Sequence, residues 1–144
     1  MYKFGKITVV CVGGLKEDYL RSAQAEFVKR LTPYGKLNIV EVADDDRILK
    51  HLSPSSHKIA MAIGGKALSS EGFAESLSKL ATNGNSHLEF VIGGSEGLGD
   101  AVLNACHMRL SMSAMTFTHQ MARIFLLEQI YRACRILNNE PYHK

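Results

Sequence analysis

Apolar residues along this chain fall into short β-branched runs that alternate with longer stretches in which they recur every three or four positions. Ile7 to Val12 ("ITVVCV") is an unbroken run of the kind found in a strand buried on both faces, and it stops at Gly13-Gly14. From Glu17 to Leu31, residues Leu20, Ala23, Phe27 and Leu31 mark one helical face while Lys29 and Arg30 point away, and Pro33 closes the helix. "LNIVEV" (Leu37 to Val42) predicts a second strand. "DDDRILKHL" then sets acidic residues ahead of a short helix, where the helix dipole favours them, and Pro54 ends that segment. "IAMAIGG" (Ile59 to Gly65) predicts a third strand, again stopped by a glycine pair. A helix from Ser70 to Leu80 turns Phe73, Leu77 and Leu80 inward and breaks at "TNGN". "LEFVIGG" predicts a fourth strand, Asp100 to Cys106 a helix, and "MRLSMS" a fifth strand.

This alternation, free of internal repeats and low-complexity linkers, predicts an α/β fold with an open, mostly parallel sheet and helices on both faces. Ligands of such sheets bind beyond the carboxyl ends of the strands, where all three glycine pairs fall. At 144 residues with 46% hydrophobic content, residues 1–144 are expected to form a single domain with a real core. A formal charge of +3 permits a nucleic-acid partner without demanding one. Cys11, Cys106 and Cys134 are odd in number and lack CxxC spacing, so they read as core residues in a reducing compartment and suggest neither disulfides nor a metal site. Without a leader-like or membrane-spanning run, the expected location is the cytoplasm.

"FVIGGSEGLG" (Phe90 to Gly99) invites a phosphate-loop reading, but its glycines fit G-x-G-x-x-G in no register and no GK[ST] follows. Glu96 would repel a pyrophosphate, so the loop favours a ligand with little negative charge near its backbone. Equally, glycines at a strand exit serve a sharp turn.

Gln120 to Leu137 is the strongest helix pattern, apolar almost all round, which predicts burial on more than one side: one against the chain's own sheet, the other against a second copy. Glu128 and Arg132 are spaced for an i,i+4 ion pair and share a narrow polar strip with Arg135. Arg123 projects among Leu127, Ile130 and Cys134, where a guanidinium needs an anionic or carbonyl partner, either a ligand or a group of a partner chain. Ser111 to Gln120 ("SMSAMTFTHQ") is small and uncharged up to its histidine. It can enclose a flat neutral ring, or simply be a strand end with Thr118 as helix cap. His51, His57 and His87 read as solvent-facing loop or helix-end residues, His107 as a strand cap, and His119 as a structural hydrogen-bonding group. At the terminus, Tyr142, His143 and Lys144 combine an aromatic, an imidazole and a cation able to stack on a base, exchange a proton and hold a phosphate.

"FVIGGSEGL", "LSMSAMTFTHQMARIFLLEQIYRACRILNNEPYHK" and, more weakly, "GKALSSEGFA" resemble the RlmH (YbeA-like) family of SPOUT methyltransferases, which methylate N3 of a pseudouridine in bacterial large-subunit ribosomal RNA. The resemblance is close from about Ile59 to Lys144 and extends through "ITVVCVGGLKEDYL". It implies five to six strands with a C-terminal trefoil knot, a homodimer, S-adenosylmethionine as methyl donor, and ribosomal RNA in the assembled ribosome as partner, with no part for DNA or membrane. Cofactor contacts implied by the family fall on Met61, Gly93, Met112, Ser113, Ala114, Met115, Thr116 and Phe117. His143, Tyr142 and Arg123 correspond to catalytic positions, and Arg132 and Lys144 to RNA-binding ones; Glu128 also matches a polar position of the tail.

The chain departs from that pattern in three places. Only "ADDDRILKHLSPSSHK" spans the gap between the second and third strands, where the family usually carries a longer, charged helical segment. Ala62 replaces a common acidic residue, and Thr118 a proline. An alternative from another class is a ribosome-associated RNA-binding protein of the same fold with weak or lost methyl transfer. A dinucleotide oxidoreductase is disfavoured by the missing fingerprint and the acidic glycine turn.

Overall fold

The computed structural model describes residues 1–141. Five strands, β1 (Lys6–Val12), β2 (Lys36–Val42), β3 (His57–Ala67), β4 (His87–Ile92) and β5 (Met108–Ser111), form one parallel sheet in the order β2-β1-β4-β3-β5. Five helices connect and cover them: α1 (Asp18–Leu31), α2 (Asp45–His51), α3 (Ser70–Thr82), α4 (Asp100–Ala105) and α5 (His119–Leu137). The expected α/β architecture is therefore present, with five strands. A 3-10 turn over Thr32–Tyr34 extends α1, and Pro33 sits inside it, where the first-turn position tolerates a missing N–H.

Alternation along each strand divides the core. Ile7, Val9 and Cys11 of β1 and Leu88, Phe90 and Ile92 of β4 face α1, α3 and α5, joined by Leu126, Leu127, Ile130 and Cys134. The intervening Val10 and Val91 face the other way and pack with Val42, Ile48 and Val102 under α2 and α4. The connections out of the adjacent strands β1 and β4 lead to opposite edges of the sheet, the topology that opens a crevice at the carboxyl ends of such strands.

Two expectations need correcting. The third strand does not stop at its glycines: it bulges between Met61 and Lys66, both of which pair with Leu110, and resumes to Ala67. Gly65 permits this because a Cβ there would lie 2.7 Å from the Arg109 carbonyl carbon. His57 and His87 are half-buried residues of strands rather than of loops or helix ends; the His57 ring stacks on His107 with centroids 4.6 Å apart. In turn, His107 Nδ1 accepts from the Lys58 N–H at 2.9 Å, a side-chain tie at the start of β5.

α2 and α4 are short and cover only the carboxyl half of their face. The other half holds an open groove of about 590 Å³ whose lining includes Thr8, Asn38, His87 and Glu89. Three of its polar residues are partnered: Thr8 Oγ1 and His87 Nε2 are 3.0 Å apart, and the Glu89 carboxylate accepts from the Ser53 N–H at 2.8 Å and from the Ser56 hydroxyl.

Leu127 is fully buried, so Leu127→Ala should cost about 2–5 kcal/mol in urea unfolding. Burial, assisted for His57 by His107 and Lys58, lowers the pKa of both His57 and His87 from the ordinary 6.5. The unfolded chain then takes up protons at higher pH than the folded one. These sites thus support the fold above the ordinary imidazole value, and that support is lost as the pH falls from there through the lower folded values. Urea midpoints should drop between about pH 7.5 and 5.5, and a His57→Gln/His87→Gln double variant should flatten the slope.

Candidate functional site

The carboxyl ends of β3, β4 and β5 gather most of the sequence-predicted cofactor residues along one rim. Gly93 leaves β4 and is buried; the chain then folds back on itself, with the Gly97 N–H donating to Gly94 O at 3.0 Å. Gly97 adopts φ +76°, and a Cβ on Gly93 would meet the Gly97 carbonyl carbon at 2.6 Å. The main chain that approaches this glycine is thus its own turn. Beyond it, Gly99 N–H donates to Asp45 Oδ2 at 2.7 Å, which anchors the start of α4 to α2.

Met61 lies at the edge of the β3 bulge, half-buried against the core, and Ile63 within the bulge is 79% exposed. After β5, Ser113 shapes the following loop: its carbonyl accepts from the Ser111 hydroxyl and its Oγ from the Met115 N–H, both at 3.0 Å. Met112 and Ser113 are half-buried, whereas Ala114, Met115, Thr116 and Phe117 are exposed. Thr118 caps α5 by accepting from the Met121 N–H at 3.2 Å, so the threonine supplies a cap where a proline has none to give.

A cavity of about 360 Å³ opens beside this loop, between α3 and α5. Met112 and Phe117 line it, with Phe73, Phe125, Ser70 and Gln129 among its other walls; Phe117 meets Phe125 edge-to-face at 4.9 Å. Met61, Gly93, Ser113, Ala114, Met115 and Thr116 are not in its lining. The cavity is within the size range of small-molecule sites, about 300–1,000 Å³. Among the described residues, its walls carry no charged side chain of either sign, and their polar side chains are serines and Gln129.

Arg123 is 1% exposed and finds its partners within the chain, which corrects the expectation of a ligand or partner-subunit group. One of its terminal nitrogens donates to Glu41 Oε2 at 2.7 Å and to Gln24 Oε1 at 3.0 Å; the other donates to Gly13 O at 2.9 Å. Glu41 and Gln24 carry no motif, and their part was legible only once β2 and α1 were placed around α5. The Glu128–Arg132 pair forms as its spacing predicts, at 2.9 Å. α5 packs between α1 and α3 as well as on the sheet, so its apolar circumference is largely used inside one subunit. Tyr142, His143 and Lys144 lie outside the described residues.

Burial pushes the Cys11 thiol up to about 11 and the Cys134 thiol up to about 12, so both are protonated near neutrality and neither is a nucleophile. Among the described residues, no group of three or more His, Cys, Asp or Glu is placed to hold a metal ion, and no helix is long and apolar enough to cross a membrane.

A family model described as "Predicted SPOUT methyltransferase" matches residues 6–143. Proteins named ribosomal RNA large subunit methyltransferase H are similar along nearly the whole chain. The one from Bacillus pumilus is 46% identical over 157 residues, and the one from Clostridioides difficile 49% over 157; each match covers 96% of this chain and 99% of the relative. Both matched stretches exceed the 144 residues of this chain, so the relatives carry residues it lacks. In structure, the chain resembles a probable methylase family protein from Haemophilus influenzae with TM-score 0.61 and 16% identity, over 96% of this chain and 70% of that one.

Gly93→Ala should force the Gly94–Gly97 turn apart and cost about 1–3 kcal/mol, read as a lowered thermal midpoint.

Proposed function

The chain belongs to the SPOUT methyltransferase family, and we propose that it is an S-adenosylmethionine-dependent methyltransferase of large-subunit ribosomal RNA whose acceptor is N3 of a pseudouridine. The observation that carries this reading is the likeness to large-subunit rRNA methyltransferases over 96% of the chain, with the candidate cofactor residues at the carboxyl rim of β3, β4 and β5.

Met61, Gly93 and the segment from Met112 to Phe117 hold the donor, with the main chain of the loop making its polar contacts. Held there, S-adenosylmethionine would supply a sulfonium-activated methyl group for N3 of the pseudouridine. The protein contributes chiefly proximity and orientation. His143 takes the N3 proton, Tyr142 stacks on the target base, and Arg132 and Lys144 meet RNA phosphates. Arg123, enclosed as it is, acts on the base only through the elements it holds.

The assembled ribosome as substrate, a homodimer, C-terminal threading and a cytoplasmic location belong to the same proposal. Ile63, Met115 and Phe117, 79%, 76% and 40% exposed along one rim, support cover by a second subunit.

His143→Ala should bind S-adenosylmethionine in calorimetry as the parent does while its methylation of ribosomes falls by about 10²–10⁴-fold. Unchanged turnover would remove His143 from proton transfer. A parent chain that binds no donor would favour the RNA-binding reading over the enzyme.

A further inference from the structure

We propose that Glu41 is a positioning residue for the donor-binding loop, acting through Arg123; this rests on the methyltransferase reading above. The Thr118 cap of α5 directly follows Phe117, so the placement of the helix's first turns decides where residues 112–117 lie. Two bonds tie those turns to the exit of β1. The Lys16 N–H donates to Gln120 Oε1 at 3.0 Å, and the Arg123 guanidinium donates to Gly13 O at 2.9 Å. Of these, Arg123 is the buried tie and Gln120 the exposed one.

A guanidinium at this depth is stable only while its charge is compensated. Among the described residues, Glu41 is the carboxylate with which it forms an ion pair, Nη1 to Oε2 at 2.7 Å; Gln24 and Gly13 contribute neutral acceptors. Among the described residues the Nε–H has no hydrogen-bond partner, so compensation falls on the terminal nitrogens. Glu41 sits near the end of β2, at the far edge of the sheet from β5, and its side chain is 47% exposed. It does not line the 360 Å³ cavity, so its influence on a donor bound at the loop is indirect. Removing the carboxylate leaves the buried charge searching for another partner. The first turns of α5 then shift, and the loop loses its preformed shape before the donor arrives.

The test compares wild type, Glu41→Gln, Glu41→Asp and the double variant Glu41→Gln/Arg123→Met. Donor affinity is read by calorimetry, thermal midpoint by scanning, and kcat and KM with ribosomes. Glu41→Gln should weaken S-adenosylmethionine binding about tenfold or more, raising KM for the donor more than it lowers kcat. Glu41→Asp should regain most of the affinity. The double variant removes the buried charge together with its partner, so its thermal midpoint should return towards wild type while donor affinity stays weak. Affinity that recovers in step with the midpoint in the double variant would reduce the pair to a stabilising element and overturn the proposal. So would a Glu41→Gln protein that binds the donor like wild type. A wild-type chain that fails to bind the donor overturns the methyltransferase reading, and the role of Glu41 with it.

Discussion

A guanidinium lies inside this protein, 1% exposed, and the elements around it are arranged to hold it. Arg123 is carried inward by α5, the most deeply packed helix, and is met by a carboxylate from β2, an amide from α1 and a carbonyl from the exit of β1. A lysine would not serve equally, because one planar fork reaches all three acceptors at once. Packing and electrostatics are inseparable here. The placement of α5 that buries Leu126, Leu127 and Ile130 also brings Arg123 to Glu41 and Gly13.

The sheet topology explains why the chemistry gathers at one rim. With β1 and β4 adjacent and their outgoing connections diverging, all five strand exits of the parallel sheet lie along one carboxyl rim. Glycines make those exits possible. In β3 and after β4 they let the main chain pass close to itself, as the contacts of Gly65 with Arg109 and Gly93 with Gly97 require. The resulting exits are compact, which leaves room beside them for the loop that follows β5.

The opposite half of the sheet has a different character. Its β2-to-β3 connection carries a single seven-residue helix, so Thr8, Asn38 and His87 line an open groove and are not roofed by apolar side chains. Polar residues are tolerated in central strands because each finds a partner nearby, Thr8 with His87 and Glu89 with Ser53 and Ser56.

The sequence by itself determined the alternation of strands and helices, the parallel sheet, the i,i+4 pair of Glu128 and Arg132 and the core role of the cysteines, because each depends on residues near one another in the chain or on simple periodicity. It also flagged Arg123 as a charge in an apolar setting. Its partners came only with the tertiary structure, since Glu41 is 82 positions away and Gln24 is 99. The β3 bulge was hidden for a similar reason: Gly65 is required by the backbone of Arg109, which no local pattern reveals. Strand neighbours and helix flanks were likewise beyond local reading. An apolar helix face states that something must cover it, and only the packed chain decides that α1 and α3 do so.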